Sequence, residues 1–320
     1  MPDRALQHAA MLRHRADWRT LLWAFVLFPV SALAPYYQPR LIGWLLPWGL
    51  YMGFCAGVFS HNHNHSPTFK NKRANAWFSA WLSFFYGYPT FGWIPTHNKN
   101  HHKFTNARGD HTATWRHTNK HTFLVAVSYF FYSASWQAPA IKEFIRDARG
   151  KTNGMFGQIV GQYAVVAGGH VSALALGIYM LGPAKGTLAY LTGFGLPAFF
   201  ALWSMMFINY IQHVHCDPTS KRNHSRNFVS GLGNFLVFNN GFHTVHHDNA
   251  GTHWSLAPAA HAKIAAEIDP SLNQSSIFGF CIRQYLFGLF SEKYRTKQIG
   301  QDPSVQEAAA PSFDAAEAAE

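Results

Sequence analysis

Apolar and polar residues are segregated along this chain into long blocks. A first apolar run covers about Leu21 to Ala34 and is closed by Pro35; a second extends from Leu41 to about Ser60. The link Pro35 to Arg40 predicts a tight turn, so the two runs form a helical hairpin crossing a bilayer twice. A third run, about Ile159 to Leu181, and a fourth, about Leu188 to Ile211, are joined by Gly182-Pro183-Ala184-Lys185-Gly186 and predict a second hairpin. Two further stretches, Ala76 to Ile94 and Phe123 to Trp136, are interrupted by Gly87, Pro89 and Gly92 or flanked by histidines and charges. They predict interfacial or partly re-entrant helices. From Gln301 the apolar periodicity stops, and residues 301–320 are expected to be a disordered tail behind a single domain of residues 1–300.

Charge placement orients these spans. The two predicted turns hold only Arg40 and Lys185. Arg4, Arg13, Arg15, Arg19, Lys70, Lys72, Arg73 and the clusters Lys99 to Lys120, Lys142 to Lys151 and Lys221 to Arg226 fall on the other side. By the positive-inside rule that side is cytoplasmic, with both termini. The expected fold is therefore an all-α integral membrane protein: four transmembrane helices in two hairpins, interfacial helices, and a cytoplasmic histidine-rich metal-binding cap. A multi-pass bacterial inner-membrane location follows. Arg13 to Arg19 followed by the run ending Ala32-Leu33-Ala34 has the outline of a signal peptide, but Pro35 directly after the small residues argues for an uncleaved first span.

Composition agrees. Charged residues are 13% and aromatic residues 16% of the chain, a balance suited to lipid-facing helices with interfacial Trp and Tyr. The net charge of +11 is spread between the apolar runs, without the basic stripe and stacking motifs of a nucleic-acid binder. Cys55, Cys216 and Cys281 are far apart and form no CxxC pair, so neither a disulfide framework nor an iron–sulfur site is expected and any electrons come from another protein.

The candidate chemistry lies in the histidines. His61 and His65 are four apart where the second span ends, so they share a helical face, from which His63 points away. His97 and His101 repeat that spacing with His102 adjacent; His243, His246 and His247 have i, i+3 and i, i+4 spacings. Near the end of the fourth span Asn209 and His213 share a face. Eight histidines in three clusters, with His213 as a ninth, exceed the roughly four to six positions of one ion, so two metals are implied. No HExxH is present and no Cys accompanies the clusters, which leaves iron, zinc and copper open on ligand type; iron is favoured because zinc has no redox chemistry. Asp110, Asp217 and Asp248 are the nearest carboxylates and could orient the rings or simply cap turns. His111, His117, His121 and His253 complete no further cluster. His170, inside the third run next to Gly168 and Gly169, predicts a hydrogen bond between helices.

HxxxH at His61 to His65, HxxxHH at His97 to His102 and HxxHH at His243 to His247 resemble the three histidine boxes of membrane fatty acid desaturases and related hydroxylases, over most of residues 20 to 255. The pair Asn209 and His213 looks like the extra ligand region of acyl-CoA desaturases, with Asn209 acting through water. Gln212-His213-Val214-His215 is also similar to the QHxH stretch of other desaturases, which leaves His213 or His215 as that ligand; the helical turn after Asn209 favours His213.

The resemblance implies two iron ions, O2 as co-substrate, and two electrons from an external donor of ferredoxin, rubredoxin or cytochrome b5 type with its reductase. It implies desaturation of a fatty acyl chain. A hydroxylase or ketolase of a carotenoid, alkane or other lipid is the neighbouring alternative, and a histidine-rich membrane receptor or metal transporter is the alternative of another class. The transporter is disfavoured because the histidines gather at one end of the spans.

Overall fold

The computed structural model describes residues 11–308; Arg4 and residues 309–320 of the expected tail lie outside them. The first six long helices are α1 (Asp17–Tyr37), α2 (Pro39–His65), α3 (Lys72–Tyr86), α4 (Phe123–Arg149), α5 (Met155–Leu181) and α6 (Pro183–His213). Of these, α1, α2, α5 and α6 are long and apolar enough to cross a membrane, and they form the two expected hairpins. At the start of the segment expected to be disordered, Pro303–Ala308 form a short helix.

The spans are longer than their apolar runs suggest. Pro35 was expected to end the first one, yet it sits in the last turn of α1. A proline this close to a helix end removes one ladder bond without stopping the chain; Gln38 N–H then closes the turn on the Ala34 carbonyl at 2.8 Å. The link to α2 shrinks to Gln38, and α2 opens with the single tighter turn Pro39–Leu41. In the second hairpin Gly182, at φ +78°, is the only break, and Pro183 opens α6 in the first-turn position where its missing N–H costs nothing. Gly177 and Gly186 face one another so closely that a Cβ on either would strike the other's carbonyl, which is how α5 and α6 pack without side chains between them. The stretch expected over Ala76 to Ile94 is α3 followed by a left-handed Gly87 at φ +77°, and the one expected over Phe123 to Trp136 runs on to Arg149 through Pro139.

By its contacts the chain falls into two compact units, one made of the segments up to Pro95 and Ile141–Met205, the other of Thr96–Ala140 and the segment from Met206. In the first unit the packed helices exchange buried polar links. Tyr36 of α1 donates to the Ala173 carbonyl of α5 at 3.0 Å, and Trp81 of α3 donates to the Ala24 carbonyl of α1 at 2.9 Å. His170 behaves as its position predicted: Nε2–H donates to the Phe84 carbonyl (3.0 Å) and Nδ1 accepts from the Tyr190 hydroxyl (3.1 Å), joining α3, α5 and α6. In hydrocarbon such a bond spares a polar ring from standing unsatisfied.

In the second unit two short strands, β1 (Asn227–Phe228) and β2 (Asn273–Gln274), pair in parallel. They frame α7 (Gly231–Leu236), α8 (His243–Asp248) and α9 (Ile277–Leu289). Phe242, Val245 and Ala257 form a small core beneath α8. Asn227 fixes the helix by accepting from Thr244 N–H at 2.9 Å and donating to its hydroxyl at 2.9 Å.

Candidate metal centre

The second histidine box lies on a π-helical stretch, Ile94–His101, that passes into His102–Phe104. The wider helix matters. On an α-helix His102 would stand about 140° round from His97. With roughly 4.4 residues per turn, His101 and His102 fall roughly 30° to 50° either side of the His97 direction, so three rings share one face. Thr105 and Asn106, both with positive φ, end the helix and turn the chain back over it.

The box then divides. His102 Nε2 lies 3.2 Å from His97 Nε2 and 2.9 Å from His246 Nε2, and His97 lies 3.2 Å from His246. His101 joins His213, His243 and His247 instead, their ligand atoms all within 4.8 Å of one another. In this second group the Nε2 separations are 2.8 Å for His213 and His243, 3.1 Å for His213 and His247, and 3.2 Å for His243 and His247. The third box divides for a geometric reason: on α8, His243 and His247 are one turn apart on one side, and His246 is about 100° away from His247. In the first unit, His61 and His65 pack edge to face with ring centroids 5.0 Å apart, and His61 lies against Trp93.

These residues fit a bound cation. Two ring nitrogens at right angles about an ion and about 2.1 Å from it stand about 3.0 Å apart, the separation seen within each triangle. Neutral imidazoles can settle one close contact with a shared proton, but a mutual triangle leaves no linear geometry for it. His101 Nε2 is buried with no hydrogen-bond partner. His247 is held neutral, as a ligand must be, first by burial and then by the crowding of His243, His101, His213 and His102.

The rings are aimed from behind. His101 Nδ1–H donates to Asp110 at 2.7 Å, with the Thr112 hydroxyl 2.9 Å away. Asp110 is saturated by that ring, by Asn106 N–H (2.7 Å), and by the Thr112 N–H and hydroxyl (2.7 Å each). Burial works against its carboxylate, but His101 and Thr112 outweigh burial and hold the acid down at about 2. His213 Nδ1–H donates to the His224 carbonyl at 3.0 Å. Both contacts put the proton on Nδ1 and leave the Nε2 lone pair directed at the cluster, the arrangement that fixes a ligand's tautomer. Asn106 ties the pieces together by donating to the His213 carbonyl (3.2 Å) and accepting from Thr114 N–H (2.7 Å).

The remaining candidates sort by their contacts. His215, the alternative to His213, has both ring nitrogens engaged elsewhere: Nε2–H with the Asn119 carbonyl (2.8 Å) and Nδ1 with the Thr296 hydroxyl (2.9 Å). His63 faces away, between Thr68 and the Asn75 carbonyl. His121 bonds Thr296 and Tyr285, and His117 stacks on Tyr132. Asn209 is buried and donates to the Tyr129 hydroxyl at 3.4 Å. Asp217 caps its own turn at Thr219, and Asp248 pairs with Arg222. His224, which no box spacing marks, is buried with its ring 5.3 Å from that of His247.

The family model described as fatty acid desaturase matches residues 37–276. No curated protein and no solved structure matches the chain. The match covers most of the chain and takes in all three histidine boxes, the second span of the first hairpin and the whole second hairpin, so the chain belongs to the fatty acid desaturase family, as a multi-pass membrane oxidoreductase of the desaturase and hydroxylase type.

Proposed function

We propose that this enzyme desaturates a fatty acyl chain, using two iron ions and O2. The observation that carries the reading is the convergence of His101, His213, His243 and His247 within 4.8 Å in a chain of this family. One ion would be held by those four rings and the other by His97, His102 and His246; the resemblance to the histidine boxes implies His61 and His65 as further ligands, and Asn209 as one acting through water. Bound iron supplies the redox chemistry by which O2, two electrons and two protons become two waters while the acyl chain gives up two hydrogens and gains a double bond.

The protein's own groups perform the rest. Asp110 and the His224 carbonyl hold two ring protons at Nδ1, Thr112 and Asn106 hold Asp110, and the buried surroundings exclude bulk water. The three cysteines are dispersed, two of them buried, so the two electrons are delivered by an external ferredoxin, rubredoxin or cytochrome b5 type donor with its reductase.

Mass spectrometry of products from the membrane-bound enzyme, given reductant, O2 and a panel of acyl thioesters and lipids, tests this. New double bonds are expected. Oxygen insertion into a carotenoid, alkane or lipid would replace desaturation with hydroxylation or ketolation. One zinc per chain and no O2-dependent product would sink the oxidase reading in favour of a metal transporter or receptor.

The same reading puts the boxes and both termini on the cytoplasmic side. In a background without the native cysteines, Gln38→Cys and Lys185→Cys are expected to react with an impermeant thiol reagent from outside intact cells. Lys70→Cys and Lys221→Cys are expected to react only after the membrane is opened. External labelling at Lys70 together with protection at Lys221 would place the first and third boxes on opposite faces and defeat a shared centre.

A further inference from the structure

Two helices of the second unit turn large apolar side chains outward. On α9 the residues turned inward are Phe280, 2% exposed, and the polar Gln284, 4% exposed, which donates to the His121 carbonyl at 3.0 Å and accepts from Thr296 N–H at 2.7 Å. The residues turned outward are Phe278 (82% exposed), Ile282 and Leu286, at helical spacing, followed by Leu289 and Phe290. On α7 the buried residue is polar. Asn234, 4% exposed, donates to the Phe228 and Ser230 carbonyls and accepts from Gly241 N–H, while Leu232, Phe235 and Leu236 point out. A helix folding in water keeps its outward face polar.

The two helices also share an origin. Beyond the paired residues of β1 and β2 the ladder continues, with Val229 N–H on the Gln274 carbonyl and Ser230 N–H on the Ser275 carbonyl, both 2.8 Å. Each strand then ends in a serine that caps its helix: Ser230 accepts from Gly233 N–H and Ser276 from Gly279 N–H. Parallel strands in register therefore launch α7 and α9 from the same end of the sheet, with Leu232 and Phe278 each two residues past the cap. Apolar exposure on this scale, on paired elements, marks an interaction surface.

We propose that α7 and α9 form a monotopic membrane-docking face, through which Leu232, Phe235, Leu236, Phe278, Ile282 and Leu286 enter the bilayer interface. An apolar outer face calls for an apolar solvent, and the four spans already hold this chain at one. Charge agrees as well: α9 contains Arg283 and no acid, and Lys293, Arg295 and Lys297 follow it with Glu292 the only acid among them. Such a basic margin beside an apolar face suits anionic headgroups. Arg283 is itself turned back onto the Tyr294 carbonyl and the Gln274 amide, so the margin lies at the end of the helix and leaves its apolar face clear.

The test uses the full chain in liposomes containing anionic lipid. Nitroxides on Leu232→Cys, Phe278→Cys and Leu286→Cys, without the native cysteines, are expected to relax several-fold more with lipid-dissolved O2 than with a water-soluble nickel chelate, at depths of about 5–10 Å. A label on Ser271→Cys, an exposed polar site on the same unit, is expected to show the opposite ratio. In the unsubstituted chain, a lipid with a photoreactive acyl chain is expected to label peptides 231–236 and 277–290. Nickel access at all three sites equal to that at Ser271 would overturn the proposal. So would exclusion of both reagents with spin coupling between copies, which would assign the face to a second copy of the chain, and so would an absence of lipid adducts on both peptides.

Discussion

On the proposed two-iron centre, His247→Ala is expected to lower iron from two ions per chain toward one and to reduce product formation by more than about 100-fold, the upper range for removing a group that merely orients a ligand. His247 Nε2 is within 3.2 Å of both His213 and His243, so its loss opens the triangle as well as removing one donor. The instructive comparison is His215→Asn. His215 is only two residues from His213 but its ring nitrogens serve Asn119 and Thr296, and its φ of +60° is a conformation that Asn adopts more readily than most residues. Metal content in this variant is expected to stay at the wild-type level. Elemental analysis of purified protein reads both results. Two irons and full activity in His247→Ala, or loss of one ion in His215→Asn with retention in His213→Ala, would overturn the ligand set.

The contrast between His213 and His215 indicates what the sequence carries and what it lacks. Two hairpins were legible because apolar runs of bilayer length are their own signal, and the helical spacings in the boxes pointed to shared faces. Local pattern does not say which residues meet across the fold. The division of the second box, His101 to one group and His97 and His102 to the other, depends on a π-helical stretch that no residue type in Ile94–His101 announces. Asp110, Asp217 and Asp248 looked equivalent beside their boxes; only the left-handed pair Thr105 and Asn106 turns the chain so that Asp110 meets His101. His224 enters the centre through its backbone carbonyl, a contribution without any side-chain signature. Pro35 misled in the opposite direction, because a proline in the last turn of a helix costs a bond that the chain end can spare. The outward faces of α7 and α9 were obscured for a related reason: their orientation is set by Asn234 and Gln284 finding backbone partners and, on α9, by the burial of Phe280.

Asp110→Asn is expected to lower iron affinity by about 10- to 100-fold, in the range for groups that orient a metal-bound imidazole, although it changes side-chain volume hardly at all. The carboxylate accepts four hydrogen bonds and donates none: from His101 Nδ1–H, Asn106 N–H, Thr112 N–H and the Thr112 hydroxyl. An amide has one acceptor oxygen. If that oxygen keeps Thr112, the new NH2 faces the Asn106 N–H and the His101 ring, and His101 relieves the conflict only by moving its proton to Nε2. The lone pair that should meet the ion is then lost, in a pocket where His101 Nε2 has no other partner. Thr112→Val removes one donor to Asp110 without reversing any polarity, so it is expected to cost less, about 1 kcal/mol or about 5-fold in affinity, the net value of one hydrogen bond. Competition against a chelator measures iron affinity directly and separates this effect from unfolding, which thermal denaturation of the metal-free protein would report. Wild-type iron affinity in Asp110→Asn would show that His101 needs no carboxylate to hold its tautomer, and would remove Asp110 from the centre.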